Sequence, residues 1–162
     1  MIKCIELIEG YKQSPLHLYI RRLGMSRDLW LNLPVREPER SKEFYTELGF
    51  QLNEQYTSQD GSFSLFVGDN RVVLMLFPEK AFRGFAGNGV ADTRQGTEVL
   101  FSIGANSRGE VDELALRAER AGGTVFSKPG ENGGWMYGCG FADPDGHRWN
   151  ALYMDMSKMR QV

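Results

Sequence analysis

Leu31-Asn32-Leu33-Pro34-Val35, followed after a short polar interval by Phe44-Tyr45-Thr46-Glu47-Leu48-Gly49-Phe50, decides how the fold is read. In the first run Leu31, Leu33 and Val35 alternate with Asn32 and Pro34. A strand over 29–35 therefore has one aliphatic face. Pro34 marks an edge or a strand end, because proline donates no ladder hydrogen bond. Pro38 suits the first turn of a helix, where a missing N–H costs nothing. Phe44, Tyr45 and Leu48 then form an apolar stripe, and Gly49 closes the helix. Three strand candidates follow over 51–57, 62–67 and 71–77. Asp60-Gly61 and Asp69-Asn70 are the turn signals between them.

The stretch 79–96 breaks this pattern. It carries Gly84, Gly87 and Gly89, with a short helical run over 81–86, and reads as a linker. The same order of elements then returns. A strand over 98–103 leads to Ser107 and Glu110, spaced as a capping box. Val111, Leu114, Ala115 and Ala118 keep helical spacing, and Gly122-Gly123 ends that helix. Strands over 124–127, 135–141 and 147–154 complete the half, the last two joined by the turn Asp143-Pro144-Asp145-Gly146. The glycine-rich stretch 130–134 beside Trp135-Met136-Tyr137 reads equally as a loop able to gate a cavity or as a long connection that its glycines merely shape.

The chain is thus expected to be α+β, with two βαβββ modules over 25–78 and 97–155, an N-terminal arm over 1–24 and a tail over 156–162. Each helix covers one face of its own sheet. Two such sheets protect their other faces by curving around a shared central cavity, with the helices outside.

Composition narrows the function classes. Of 162 residues 41% are hydrophobic and 25% charged, which suits a soluble domain. The net charge of -2 comes from interspersed acids and bases, so no basic stripe favours nucleic acid. No apolar run is long enough for a membrane span, and no signal-peptide core is evident. A cytoplasmic location is expected, with Cys4 and Cys139 as free thiols. No nucleophile triad, phosphate loop or Cys-x-x-Cys pattern is present.

The run ending Phe44 to Phe50, together with Phe141-Ala142-Asp143-Pro144-Asp145-Gly146-His147, resembles the vicinal oxygen chelate superfamily of glyoxalases, bleomycin-resistance proteins and extradiol dioxygenases. Metal-dependent members of that superfamily use His or Glu side chains from four strands. The resemblance places those positions at Trp30, Met75, Glu98 and Asn150. A divalent ion needs several lone-pair donors about 2 Å away. Only Glu98 is a good hard ligand. Met75 is a soft thioether, and the Trp30 indole has no lone pair to give. His147 stands an odd number of residues from Asn150 and should face the other side of its sheet; His17 lies in the arm. No metal and no other cofactor is therefore expected. The resemblance also implies a homodimer.

Strand alternation lines the cavity with Trp30, Asn32, Val73, Met75, Phe77, Glu98, Leu100, Ser102, Asn150 and Leu152, to which the gating segment adds Trp135 and Tyr137. That mostly apolar set suits a small organic molecule, aromatic or cationic; for Trp30 and Met75 plain core packing is the favoured alternative, and with the pocket filled the chain would be a structural or interaction module. Two readings of Glu98 stay open. It is either a structural carboxylate paired with an arginine such as Arg148, or the acid/base of a glyoxalase-like lyase or isomerase.

Overall fold

The computed structural model describes residues 29–159, so the N-terminal arm, Cys4 and His17 lie outside the described residues. Each half repeats the order strand, helix, three strands. The first holds β1 (Trp30–Val35), α1 (Pro38–Glu47), β2 (Gln51–Thr57), β3 (Phe63–Val67) and β4 (Val72–Pro78). A linker helix α2 (Glu79–Ala86) follows. The second half holds β5 (Leu100–Gly104), α3 (Arg108–Arg120), β6 (Thr124–Asn132), β7 (Met136–Ala142) and β8 (Arg148–Met154). The sheets have matching strand orders, β1-β4-β3-β2 and β5-β8-β7-β6. In each, the first strand pairs parallel with the last, and the other pairings are antiparallel.

Local chemistry explains the helix ends. Pro38 opens α1, and Gly49 at φ +96° follows it, a conformation costly for any residue with a Cβ. The Ser107 hydroxyl accepts from the Glu110 N–H at 3.1 Å and caps α3. The Glu110 carboxylate reaches the N–H of Asn106, at 2.6 Å, one residue before the position a capping box would use.

The helix-facing positions of both sheets merge into one core. Leu33, Val35, Leu65, Leu74 and Leu76 come from the first sheet, and Cys139, Phe141, Trp149 and Ala151 from the second. Helix α1 ties them together. The Phe44 ring centre lies 6.4 Å from that of Phe141, and the Tyr45 ring centre 5.8 Å from that of Trp149. Each such buried side chain contributes roughly 1.5–3 kcal/mol by its removal from water.

Two sequence expectations need correction. Strand β6 runs to Asn132, well past the expected end at 127. Gly130 pairs with Gly138, Glu131 with Tyr137 and Asn132 with Met136, and Gly133 and Gly134 turn the chain at φ +62° and +76°. The supposed gating loop is therefore a hairpin whose strands are hydrogen-bonded up to its turn. Register shifts around Ser127 absorb Pro129, which would otherwise interrupt the ladder. Strand β5 begins at Leu100, so Glu98 precedes the strand rather than lying in it.

Candidate functional site

The sheet faces turned away from α1 and α3 carry most of the expected ligand residues. Register places Asn32 beside Met75 and Trp30 beside Val73 on the first sheet. On the second it places Ser102 beside Asn150 and Leu100 beside Arg148. Trp30 is 61% exposed and Leu100 49% exposed, so within a single chain this surface is open. Met75 differs, being only 5% exposed. Phe77 is half-buried and packs edge-on against Phe85 of α2, ring centres 4.8 Å apart.

Two expected ligand residues stand apart. Tyr137 pairs with Tyr153 on the helix side, and its hydroxyl donates to Asp112 of α3 at 2.8 Å. It does not share a face with Asn150, because it differs from Gly140, the partner of Asn150, by an odd number of positions. Trp135 sits in the β6–β7 turn, where its indole lies against Gly133 and its carbonyl accepts from the Asp155 N–H at 2.7 Å.

The open faces carry two guanidinium–phenyl stacks. Arg148 lies over Phe126, 4.4 Å from the ring centre. Phe126 in turn lies over Gly140, where a Cβ would come within 2.4 Å of the ring. Arg71 lies 3.8 Å from the Phe66 ring centre and donates to Gln51 Oε1 at 3.0 Å. This second stack borders a cleft of about 440 Å³ at the β2 edge. Arg71 has φ +51°, unusual for a residue with a side chain.

A polar junction joins the two halves beside this surface. The turn before β8 buries Asp143, Asp145 and His147. Asp143 accepts from the Tyr45 hydroxyl at 2.6 Å and from the N–H groups of Asp145 and His147. Asp145 accepts from the Ser41 hydroxyl at 2.9 Å and the Arg36 N–H at 3.2 Å. Burial pushes the Asp143 carboxyl above its ordinary range. Burial, and then the neighbouring Asp143, hold the Tyr45 phenol well above its own, so it stays a hydrogen-bond donor.

Glu98 belongs to this junction. Its carboxylate lies 3.1 Å from His147 Nδ1, while His147 Nε2 lies 2.8 Å from the Pro34 carbonyl oxygen. A carbonyl only accepts, so Nε2 carries a hydrogen. The two contacts fix the plane of the imidazole between Pro34 and Glu98. The arginine partner considered for Glu98 is replaced by His147, because Arg148 points to the opposite face and stacks on Phe126. Sequence reasoning placed His147 on the other face from Asn150. It missed the pairing because Glu98, lying before β5, is not governed by strand alternation.

The four positions that the resemblance assigns to metal ligands, Trp30, Met75, Asn150 and Glu98, offer an indole, a thioether, an amide and one carboxylate in contact with His147. This donor set does not fit a hard divalent ion. Among the described residues, no group of three or more His, Cys, Asp or Glu is placed to hold a metal. No helix among them is long and apolar enough to cross a membrane.

Comparison with known proteins agrees with this architecture. A hypothetical protein of S. aureus is 33% identical, with 84% of this chain and 98% of that one aligned at a TM-score of 0.72. A glyoxalase/bleomycin resistance protein/dioxygenase family enzyme of Burkholderia phytofirmans aligns over 77% and 96% of the two chains, at 19% identity and a TM-score of 0.66. A glyoxalase-related enzyme of Fulvimarina pelagi aligns over 80% and 88%, at 19% identity and 0.67. These last two share the fold. No curated protein sequence matches the chain. Residues 29–151 match one family along the length of both modules, and the chain belongs to the Glyoxalase/Bleomycin resistance protein/Dioxygenase superfamily.

Proposed function

We propose that this protein binds a small organic molecule on the open faces of its two sheets, without a metal ion. The observation that carries the reading is the pairing of an exposed apolar surface, Trp30 and Leu100 above all, with a donor set whose single carboxylate is taken by His147. Asn32, Ser102 and Asn150 add the few polar groups that orient a ligand in such sites. The exposed Trp30 and Leu100 also support a homodimer in which a second copy narrows the site. The free, buried Cys139 supports a reducing, cytoplasmic setting.

The test combines elemental analysis of protein purified without added metal with a thermal-shift screen of aromatic and charged small molecules. The expected result is substoichiometric metal and a rise in melting temperature with at least one compound class. Stoichiometric zinc, nickel, iron or manganese, lost on Glu98→Gln, would overturn the reading.

One observation favours a second reading. Glu98 is about one-third exposed and is oriented by a buried histidine, the arrangement a general acid or base requires. Under this reading the protein is a glyoxalase-like lyase or isomerase. Glu98→Gln then abolishes turnover of a candidate substrate while leaving binding intact.

A further inference from the structure

The charge of the ligand follows from which ionic groups on the open faces are already matched. The Glu98 carboxylate is already engaged, 3.1 Å from His147 Nδ1. Arg148 is in the opposite situation. It lies on the open face two residues from Asn150 and next to Leu100 in the parallel register. Its guanidinium makes no ion pair among the described residues. Nor is it loose. It is half-buried and rests on the Phe126 ring, which lies flat because Gly140 leaves room beneath it. A stacked guanidinium keeps its in-plane N–H donors free for a planar acceptor. Asn150 and Ser102, paired side by side on the same face, supply neutral donors beside it. The first sheet repeats the theme with Arg71 over Phe66.

We infer that Arg148 recognises an anionic group, a carboxylate on a small aromatic or otherwise planar molecule, so the preferred ligand is an organic acid rather than a cation. This rests on the small-molecule reading above and specifies its chemistry. Guanidinium and carboxylate match as a two-pronged pair, and the charge-assisted bonds are about twice as strong as neutral ones.

Benzoate, benzamide and benzylamine share one ring and differ in charge. Their dissociation constants, from NMR titration of the full chain, test the assignment, with inorganic phosphate as a fourth probe. Benzoate is expected to bind about tenfold more tightly than benzamide, or about 1.4 kcal/mol. Benzylamine and phosphate are expected to bind more weakly still. In Arg148→Gln the preference for benzoate disappears, and Arg148→Lys restores part of it. Raising the salt concentration weakens benzoate binding to the unaltered protein and leaves benzamide unchanged, which tests the charge without any variant. Equal binding of benzoate and benzamide, or preference for benzylamine, overturns the anion assignment and leaves the small-molecule reading standing. Phosphate binding as tight as benzoate overturns the organic-acid part. An Arg148→Gln variant that keeps the benzoate preference overturns the role of Arg148. Failure of all four probes to bind counts against both readings.

Discussion

The Tyr45 hydroxyl stands 2.6 Å from Asp143 Oδ2, and through this bond the helix of the first half holds the turn that starts the last strand of the second. Both groups are buried, and Asp143 receives three donors in all. Tyr45→Phe removes one donor and keeps the ring packing against Trp149. The expected loss is about 1–3 kcal/mol, the range for leaving a buried polar partner unsatisfied. It should appear as a lower urea midpoint at unchanged slope.

The raised Asp143 carboxyl makes stability depend on pH. Between its ordinary value and the raised value, the folded protein binds a proton that the unfolded chain has released. Stability from this group is therefore full below the ordinary carboxylate value and is lost as pH rises through the folded value. Asp143→Asn keeps an oxygen for the two backbone donors and cannot ionise. The variant and the unaltered protein should have similar stability in acid. The unaltered protein should fall behind as pH rises, measured by urea titration at several pH values.

Glu98 and His147 should respond unequally to substitution. Glu98 lies partly in solvent, so Glu98→Gln is expected to change stability by less than about 1 kcal/mol. His147 is buried and its Nε2–H spans to Pro34, so His147→Ala should cost about 2–4 kcal/mol from the lost bond and the space left behind. Nitrogen NMR of the imidazole should find a hydrogen on Nε2. A ring protonated on Nδ1 alone would contradict the Pro34 bond.

Gly123 should not tolerate alanine. A Cβ there meets the Ala142 carbonyl oxygen at 2.6 Å, the Phe44 ring at 2.7 Å and the Ala118 carbonyl oxygen at 2.9 Å. Two of these contacts are backbone, so the strain has no flexible outlet. Destabilisation of about 1–3 kcal/mol is expected by thermal or urea unfolding.

Much of the fold could be read from the sequence because its elements obey simple periods. Leu31, Leu33 and Val35 alternate in the sequence as they do in burial, rising from half-buried to fully buried along β1. The same alternation sets Trp30 and Asn32, and Asn150 with Leu152, on the face away from the helices. It fails where regularity fails. Pro129 and Gly130 look like strand breakers, yet β6 passes through them by shifting register. Tyr137 stands beside glycines that resemble a loop, but a strand turns it toward α3. The contacts of Glu98, Arg148 and the buried aspartates depend on side chains meeting across the fold, which no local period encodes.

The turn at Asp143 to His147 also sets the order in which this protein can be completed. Its bond to Tyr45 spans 98 positions and its bond to Pro34 spans 113. Closures this distant form late and slow folding. During synthesis, β1 and α1 emerge from the ribosome long before their anchors exist, with Tyr45 and Ser41 still uncovered. A nascent chain halted before residue 143 would therefore hold Tyr45 and Ser41 without the carboxylates that receive their hydroxyls in the complete fold.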